Sequence, residues 1–506
     1  MAPVFPSRLR DPLRFPIFQF FLLAIIRLSE PIALTSIFPY AWKFVKVLKI
    51  GQEKDASFYA GLLISAFSLG EAFSGMFWGS LSDRIGRKPV LICGGAGTIL
   101  SLLVVGLAHN FWIALMGRTI GGLLNGNIAV IQTMVGELVT NPKHETRAYA
   151  IMPFVWSVGT VLGPAIGGIL ADPTRSFPNT FSRDGVFGHY PYFLPNLVCA
   201  FLLLVSIMMG YFLLEETYPD KQPSDRIYLS EQVPMVVESD IRKISMTGSN
   251  LTDYGTVASS CGPLNQDKFS ECSTNKTLNP RILGFIYALG IFTYHSMTYD
   301  HLFPIFLEDN PKNITFQTAN AVRNNSSSSG LGLSTGKVGL IMSIDGLLAI
   351  IVQVFIFPFA AEYLGIKMIL LVVTSLHPVS FLIVPYLSYL SASWLDSGIY
   401  ACLTIRNILS IIAYPALLIS IKEATPSLKT LGKVNGLAAS IGAASRTIAP
   451  PISGYLYGLE TRTNLTGLAW YMSALVAGLG AVQIFTIQKE KKLAKDDPTN
   501  NLEIEA

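Results

Sequence analysis

Twelve apolar runs, each about as long as a bilayer is thick, constrain this chain more than any other feature. A helix needs roughly 20 apolar residues to cross hydrocarbon. Such runs lie near 16–40, 57–81, 89–108, 112–136, 148–170 and 191–213, and again near 281–303, 337–361, 367–388, 396–421, 434–457 and 467–487. In lipid every backbone N–H and C=O must be satisfied within the chain, which leaves helices or a closed barrel. Runs of this length select helices. The expected fold is an all-α integral membrane protein, with 12 transmembrane helices in two pseudo-symmetric six-helix bundles. Only 14% of the 506 residues are charged, against about 25% in a soluble domain. The mean hydropathy of +0.46 agrees.

Polar stretches divide the runs. Residues 1–15 read as a basic tail, 16–213 as the first bundle, 214–279 as a linker expected to be disordered, 280–487 as the second bundle and 488–506 as a second tail. An even number of crossings puts both tails on one side. The positive-inside rule makes that side the cytoplasm, since Arg8, Arg10, Arg14, Arg84, Arg87, Lys88, Lys422, Lys429 and Lys433 all fall there. Lys43, Lys46, Lys49 and Lys54, on the first outer loop, oppose it. No small-residue cleavage site follows the first run, so it is expected to stay as an anchor. Sequons at Asn313, Asn324 and Asn464 fall on outer loops and are glycosylation candidates; those at Asn250 and Asn275 fall in the linker and are expected to stay bare.

Several function classes find no support. Cys93, Cys199, Cys261, Cys272 and Cys402 show neither metal-ligand spacing nor a disulfide framework. The six histidines form no cluster, so no metal site is expected. A net charge of +4 is too small to indicate nucleic acid. No phosphate-binding G-x-x-x-x-G-K-[ST] loop is present, and no nucleophile–base pair suggests an enzyme. No cofactor is expected.

The halves echo each other. "GSLSDRIGRK" aligns with "PFAAEYLGIK", so that Asp83 matches Glu362, Gly86 matches Gly365 and Lys88 matches Lys367. "GTVLGPAIGG", residues 159–168, aligns with "RTIAPPISGY", residues 446–455, matching Pro164 with Pro451 and Gly167 with Gly454. Such self-similarity marks a duplication, a known architecture of secondary transporters.

The charged turn "GSLSDRIGRKPVL", Gly79 to Leu91, has its own physical reading. Gly86 permits a tight reversal, and Asp83 can accept from backbone N–H groups at the next helix start. Arg84, Arg87 and Lys88 hold the turn on the inner side and can pair with acids of a neighbouring helix. Gly159, Gly163 and Gly167 recur at every fourth residue, a smooth stripe for close backbone approach, while Pro164 allows a bend. Together they suggest a rocking surface between bundles.

The turn, as G-x-L-x-D-R-x-G-R-K-x-x-L, resembles the signature of the major facilitator superfamily. That resemblance implies two bundles rocking about a central cavity, with Gly79, Asp83, Arg84, Gly86, Arg87 and Lys88 as a latch on the cytoplasmic side. "RTIGG", from Arg118, is similar to the fourth-helix motif whose arginine the family links to proton transfer. The stripe with Pro164 and Gly168 resembles the fifth-helix motif of the drug:proton antiporter branch. "RLSEPIALTSIFPY", "GEAFSGMFWGSLSDRIGRKPVL" and "HSMTYDHLFPIF" resemble the zinc-induced-facilitator-like subgroup. The Cys-Pro-Gly-Cys element of that subgroup's plant members is absent, and "EETYPDK" stands where they have a His-containing segment. The resemblance therefore does not imply zinc transport.

Ionisable residues inside the runs are functional candidates, because each costs at least ~2.5 kcal/mol in hydrocarbon unless it faces a cavity or partner. They are Arg27, Glu30, Glu71, Arg118, His295, Asp300, Asp345, Arg406 and Arg446. Arg27 and Glu30 share a helix face, and either neutralise each other or carry the proton. Arg118 can face Glu30 or Glu71. Asp300 lies near enough the outer boundary to be merely solvated. His295 sits on an aromatic face. Arg446 demands an acidic or carbonyl partner. The expectation is a secondary transporter driven by the proton gradient, monomeric in the plasma membrane, exporting a small organic compound. Uptake of a nutrient or metal chelate, a non-transporting sensor, and a vacuolar location are the alternatives.

Overall fold

A computed structural model of the protein describes residues 16–138, 142–218, 279–309, 330–425, 428–463 and 465–496. Asn313, Asn324, Asn464, residues 1–15 and 497–506 and most of the 214–279 stretch lie outside the described residues. Among those described there are helices and turns and no strand. Twelve helices cross the molecule. In the first bundle they are α1 (Ile17–Thr35), α2 (Ala56–Ile85), α3 (Arg87–Gly106), α4 (Phe111–Leu124, resuming as Asn127–Leu138), α5 (Pro142–Leu170) and α6 (Phe193–Leu213). In the second they are α7 (Pro280–Glu308), α8 (Thr335–Ile351, continuing through a π-helical turn at Val352–Ile356 to residue 364), α9 (366–382), α10 (Ala392–Ala424), α11 (Leu428–Thr463) and α12 (Leu468–Asp496).

Seven stretches are long and apolar enough to span a membrane by length and composition alone, with α8 and α9 inside one of them. The helices that do not qualify are α4, α5, α7 and α11. Three of these carry polar candidates: Arg118 on α4, His295 and Asp300 on α7, and Arg446 on α11. Helices α4 and α5 fall short by length, Phe111–Leu124 and Phe154–Leu170 being apolar but short, while polar residues inside α7 and α11 serve the protein interior rather than a soluble segment.

The duplication is visible in the backbone. Gly86, between α2 and α3, has φ 101° and ψ 165°; its counterpart Gly365, between α8 and α9, has φ 71° and ψ 150°. Both conformations are open almost only to glycine. The bundles meet along α2–α11 and α5–α8, which are the same contact repeated by the pseudo-symmetry.

That contact runs from the end opposite Gly86 to about the middle of the helices, where Val161 meets Gly346 and Ser157 bonds Gln353. A side chain added at Gly61 would strike the Pro450 backbone, and one at Gly454 the Ser57 carbonyl. At Gly168 it would meet the Cα of Gly339 at 2.5 Å. About five turns along α2 from Gly61, Gly79 returns to the same face, and there no described atom lies within 4 Å of an added Cβ. The cores follow the same division. One cluster, with Ile37, Tyr40, Leu63, Phe306, Ile341 and Trp470, runs through both bundles at the far end. Toward the Gly86 end the clusters separate, with Leu23, Leu91 and Met134 in one bundle and Ile286, Leu370 and Leu417 in the other. Among the described residues the bundles meet at the far end and stand apart at the turn end.

The four lysines of the first outer loop are partly accounted for. A short helix, Ala41–Val47, follows α1. Lys43 pairs across the bundles with Glu308 at 3.1 Å, and Lys46 pairs with Glu53 at 2.8 Å while lying over the Trp42 ring. The same pair holds the exposed Glu53 carboxyl below the usual carboxylate range. Asp55 and Arg462 form a second ion pair between bundles. The glycine stripe of α5 does not form the rocking surface expected of it. Gly159 faces Pro31, Gly163 faces Thr35 and Gly167 faces Ser36, all near or on α1 of the same bundle. The face of α5 that reaches the second bundle is instead made by Val161, Pro164 and Gly168. Small residues thus let α5 approach two neighbours at once.

Candidate functional site

Helix geometry sets the first polar group. Arg27 and Glu30, one turn apart on α1, form an ion pair at 2.5 Å. Glu30 is 3% exposed, and its other oxygen accepts from Asn125 Nδ2 at 2.9 Å. Asn125 is free to do this because α4 breaks there, between its two helical pieces. The Trp156 ring covers the Arg27 guanidinium at 4.7 Å, a favourable cation–π geometry. Both Glu30 oxygens therefore have donors.

Glu71, on α2, is built differently. Its Oε1 is buried and has no hydrogen-bond partner among the described residues. Its charged neighbours are Glu30, Arg446 and Arg27. Leaving such an oxygen unmet costs on the order of 1–3 kcal/mol, so this carboxylate is stable only where a proton or a partner can reach it.

Arg118 faces neither acid. Its Nε donates to the Leu63 carbonyl at 3.3 Å, its guanidinium lies 4.9 Å from the Phe67 ring, and Nη2 is buried without a partner. The expectation of an Arg118–Glu30 or Arg118–Glu71 pair is corrected: Glu30 is taken by Arg27 and Asn125, and Arg118 is spent on the α2 backbone.

The second bundle holds a longer chain. Arg406 on α10 pairs with Asp300 on α7, donates to Ser296 Oγ and Asn407 Oδ1 at 3.3 Å each, and lies 5.0 Å over Tyr299. Asn407 in turn donates to the Asp345 carboxylate at 2.7 Å and to its carbonyl at 2.9 Å. Asp300 is thus a paired residue of the interior, not a solvated boundary residue. Its side chain nevertheless keeps 40% of its exposure. His295 stands outside this chain, in a buried group with His377 at 4.4 Å between ring centroids and with Phe292. Trp470 is 1% exposed and belongs to the far-end core.

Arg446, on α11, has no ion-pair or hydrogen-bond partner among the described residues, contrary to the expectation that it must. Its Nη1 and Thr293 Oγ1 lie 3.8 and 3.9 Å from where a Cβ on Gly442 would stand. On the other inter-bundle seam, Ser157 on α5 donates to Gln353 Oε1 at 3.0 Å, a bond between bundles made from the π-helical turn of α8. Such turns recur at functional sites.

The Gly79–Leu91 turn is a closed network inside the first bundle. Arg87 Nη1 donates to Asp83 at 2.5 Å and to Ser82 at 2.7 Å, while its Nε and Nη2 share Glu137 of α4 at 3.1 and 2.9 Å. The Arg87 side chain is 7% exposed and the Asp83 side chain 64%. The backbone N–H groups opening α3 do not go to Asp83. They go to Glu216, beyond the end of α6, at 2.9 Å from Arg87 and 3.1 Å from Lys88. An anion is favourable at a helix N-terminus, where free N–H groups and the helix dipole both point at it. Residues 214–218, read as the start of a linker, pack here, with Leu214 and Thr217 buried. Arg84 is exposed.

Sequence reasoning missed Asn125, Glu137, Glu216, Gln353 and Asn407. Only Asn125-Gly126, a turn-forming pair inside an apolar run, carried a readable signal. Among the described residues no group of three or more His, Cys, Asp or Glu is placed to hold a metal.

Comparison with known proteins agrees with this architecture. Residues 32–309 match the Major Facilitator Superfamily. The chain is 35% identical to the major facilitator superfamily multidrug transporter mfsB of Aspergillus fumigatus, across 96% of this chain and 86% of the relative. It is 27% identical to the protein zinc induced facilitator-like 1 of Arabidopsis thaliana, across 93% and 91%. Among solved structures, a D-xylose–proton symporter superposes with a TM-score of 0.63 at 12% identity, covering 94% of this chain and 98% of that one, a likeness of fold. With twelve helices in two related bundles, the signature turn between α2 and α3 and a relative this close over nearly its whole length, the chain belongs to the major facilitator superfamily and is an integral membrane transporter.

Proposed function

We propose that the protein is a proton-coupled antiporter that exports a small organic compound. We place it in the plasma membrane as a monomer without a resident cofactor, with the Gly86 end toward the cytoplasm. The observation that carries this reading is the chain Asp300–Arg406–Asn407–Asp345, buried at Arg406 and Asn407 but 40% exposed at the Asp300 side chain, in a molecule whose bundles share one core at the far end. In that orientation the cavity loads from the cytoplasm, where an exported compound begins. Closing the turn end and breaking Lys43–Glu308 and Asp55–Arg462 at the far end would release it outside. Each proton returning through 100 mV supplies about 2.3 kcal/mol.

The geometry favours particular proton carriers. Protonating Glu30 or Asp300 sacrifices an ion pair with Arg27 or Arg406. Protonating Glu71 or Asp345 sacrifices none among the described residues, since Glu71 Oε1 is unmet and Asp345 accepts from an amide. We assign the proton to Glu71 and Asp345, with Glu30 and Asp300 as fixed counter-charges. The relation to a multidrug transporter supports an organic cargo. The test is accumulation of ethidium and carboxyfluorescein in sealed inside-out vesicles with an acid interior. Uphill accumulation of either probe is expected, abolished by collapsing the gradient and reduced at least about tenfold, or ~1.4 kcal/mol, in Glu71→Gln. Movement with the proton flow, out of the vesicle, would replace antiport with uptake symport.

A further inference from the structure

We infer that Arg446 is the cargo-binding cation of the central cavity, and that the cargo presents it a carboxylate or another planar anionic group. This rests on the transport reading above and adds the cargo's chemical class. Four arginines stand among the intramembrane candidates, and a guanidinium there is costly unless compensated. Three have partners, although Arg118 Nη2 is itself unmet. Arg27 has Glu30 and the Trp156 ring, Arg118 has the Leu63 carbonyl and the Phe67 ring, and Arg406 has Asp300, Asn407, Ser296 and Tyr299. Arg446 alone of the four has no hydrogen bond or ion pair among the described residues, and it is only half-buried.

Its placement suits a ligand. Arg446 lies on α11, half of the α2–α11 seam between bundles. Side chains on a helix lean toward its N-terminus, and the Arg446 guanidinium accordingly lies back over Gly442, beside Thr293 of α7. For α11 that direction runs away from the closed far end and into the parted region. The close approaches of Gly61 to Pro450 and Gly454 to Ser57 give the antiparallel register of the seam. About two turns further toward the turn end on each helix, Leu69 stands level with Gly442, which puts the guanidinium at the height of Glu71. Arg446 is among the charges acting on Glu71, yet the two make no ion pair. A cation without a described partner on one bundle and a carboxylate with an unmet oxygen on the other thus stand at the same height across the seam. The planar guanidinium offers two parallel N–H donors that fit a carboxylate, and such charge-assisted bonds are worth roughly 1.5–3 kcal/mol. A cationic cargo would have to sit beside this free guanidinium, where repulsion opposes it.

The experiment uses the full-length protein in sealed vesicles with an imposed pH gradient and two probes, anionic carboxyfluorescein and cationic ethidium. The wild type is expected to move carboxyfluorescein. Arg446→Gln should slow it at least about tenfold, the low end of what a charge-assisted bond is worth, while any ethidium transport changes less than about twofold. Transport of ethidium but not carboxyfluorescein, or equal loss of both in Arg446→Gln, would overturn the assignment. Should Arg446→Gln fail to insert, Arg446→Lys decides. It keeps the charge and loses the fork, so half-saturation by carboxyfluorescein should rise about fivefold with a saturating rate within about twofold of wild type; an unchanged half-saturation contradicts the proposal. If neither probe responds to a pH gradient, the coupling reading fails separately. Fluorescence polarisation of carboxyfluorescein on the purified protein then still tests Arg446: binding that Arg446→Gln abolishes upholds it, and no binding, or binding the variant keeps, sinks it.

Discussion

The turn between α2 and α3 and the turn between α8 and α9 descend from one segment, and they have kept different things. Both keep the glycine and its unusual backbone, at Gly86 and Gly365. Among the described residues only the first keeps a clamp built on an arginine. Arg87 there gathers Asp83, Ser82 and Glu137, and Glu216 closes the helix start. In the second, Ile366 replaces the arginine, Glu362 is exposed, and no described atom lies within 4 Å of a Cβ built on Gly365. The chain reversal is therefore a property of the duplicated fold, and the charges are an addition to one half. What they add is rigidity across α2, α3, α4 and α6 at the end where the bundles part.

Removing the clamp is expected to have the largest effect. Arg87→Ala leaves Glu137 facing buried surface without its cation, and breaking a buried pair costs about 3–5 kcal/mol. In the other turn, Glu362→Gln should stay within about 0.5 kcal/mol, as exposed substitutions do. Thermal unfolding of purified protein in detergent checks both. Similar shifts for the two variants would mean that the first turn is no more than its backbone.

Glycine substitutions sharpen the comparison, because they separate strain from contact. Ala at either position must hold a backbone that costs about 1–3 kcal/mol for a side-chain-bearing residue. At Gly365 that strain is the whole cost, since the site is open. At Gly86 the new Cβ would also stand 2.6 Å from Glu216 Oε2 and displace the cap, adding about 0.5–2 kcal/mol. Gly86→Ala should therefore be the more destabilising by about 1 kcal/mol. Equal losses would show that Glu216 moves aside freely.

These contrasts also show which parts of the molecule could be read along the chain. The fold was legible because twelve apolar runs leave few alternatives. Arg27–Glu30 was legible because residues three apart share a helix face wherever the helix goes. The depth of Asp300 was not: α7 has 29 residues, more than a bilayer requires, so position in the run does not give height in the protein. The face of the α5 stripe was not, because small residues permit close approach without saying to which neighbour. Arg118 and Arg446 look alike in an apolar run, and only packing gives one a carbonyl and an aromatic face and leaves the other open. Glu216 lies 129 residues from the N–H it caps, in a polar stretch whose composition reads as linker. Local spacing survives in sequence; partners brought together by packing do not.

The cap offers the finest test of the difference between the turns. Glu216 accepts from Arg87 N with one oxygen and from Lys88 N with the other. Glu216→Gln keeps one acceptor, replaces the other by a donor that repels the N–H, and removes the negative charge from the helix N-terminus. The expected cost is about 1 kcal/mol, small enough to leave the bundle folded and the Arg87–Glu137 pair in place. Amide exchange reads it directly: the N–H groups of Arg87 and Lys88 should exchange about fivefold faster in the variant, as a loss of 1 kcal/mol implies, while those of Ile366 and Lys367 should not change. If the amides of the two turns exchange alike in the wild type, the cap confers no protection, and the clamp must act through Arg87 alone.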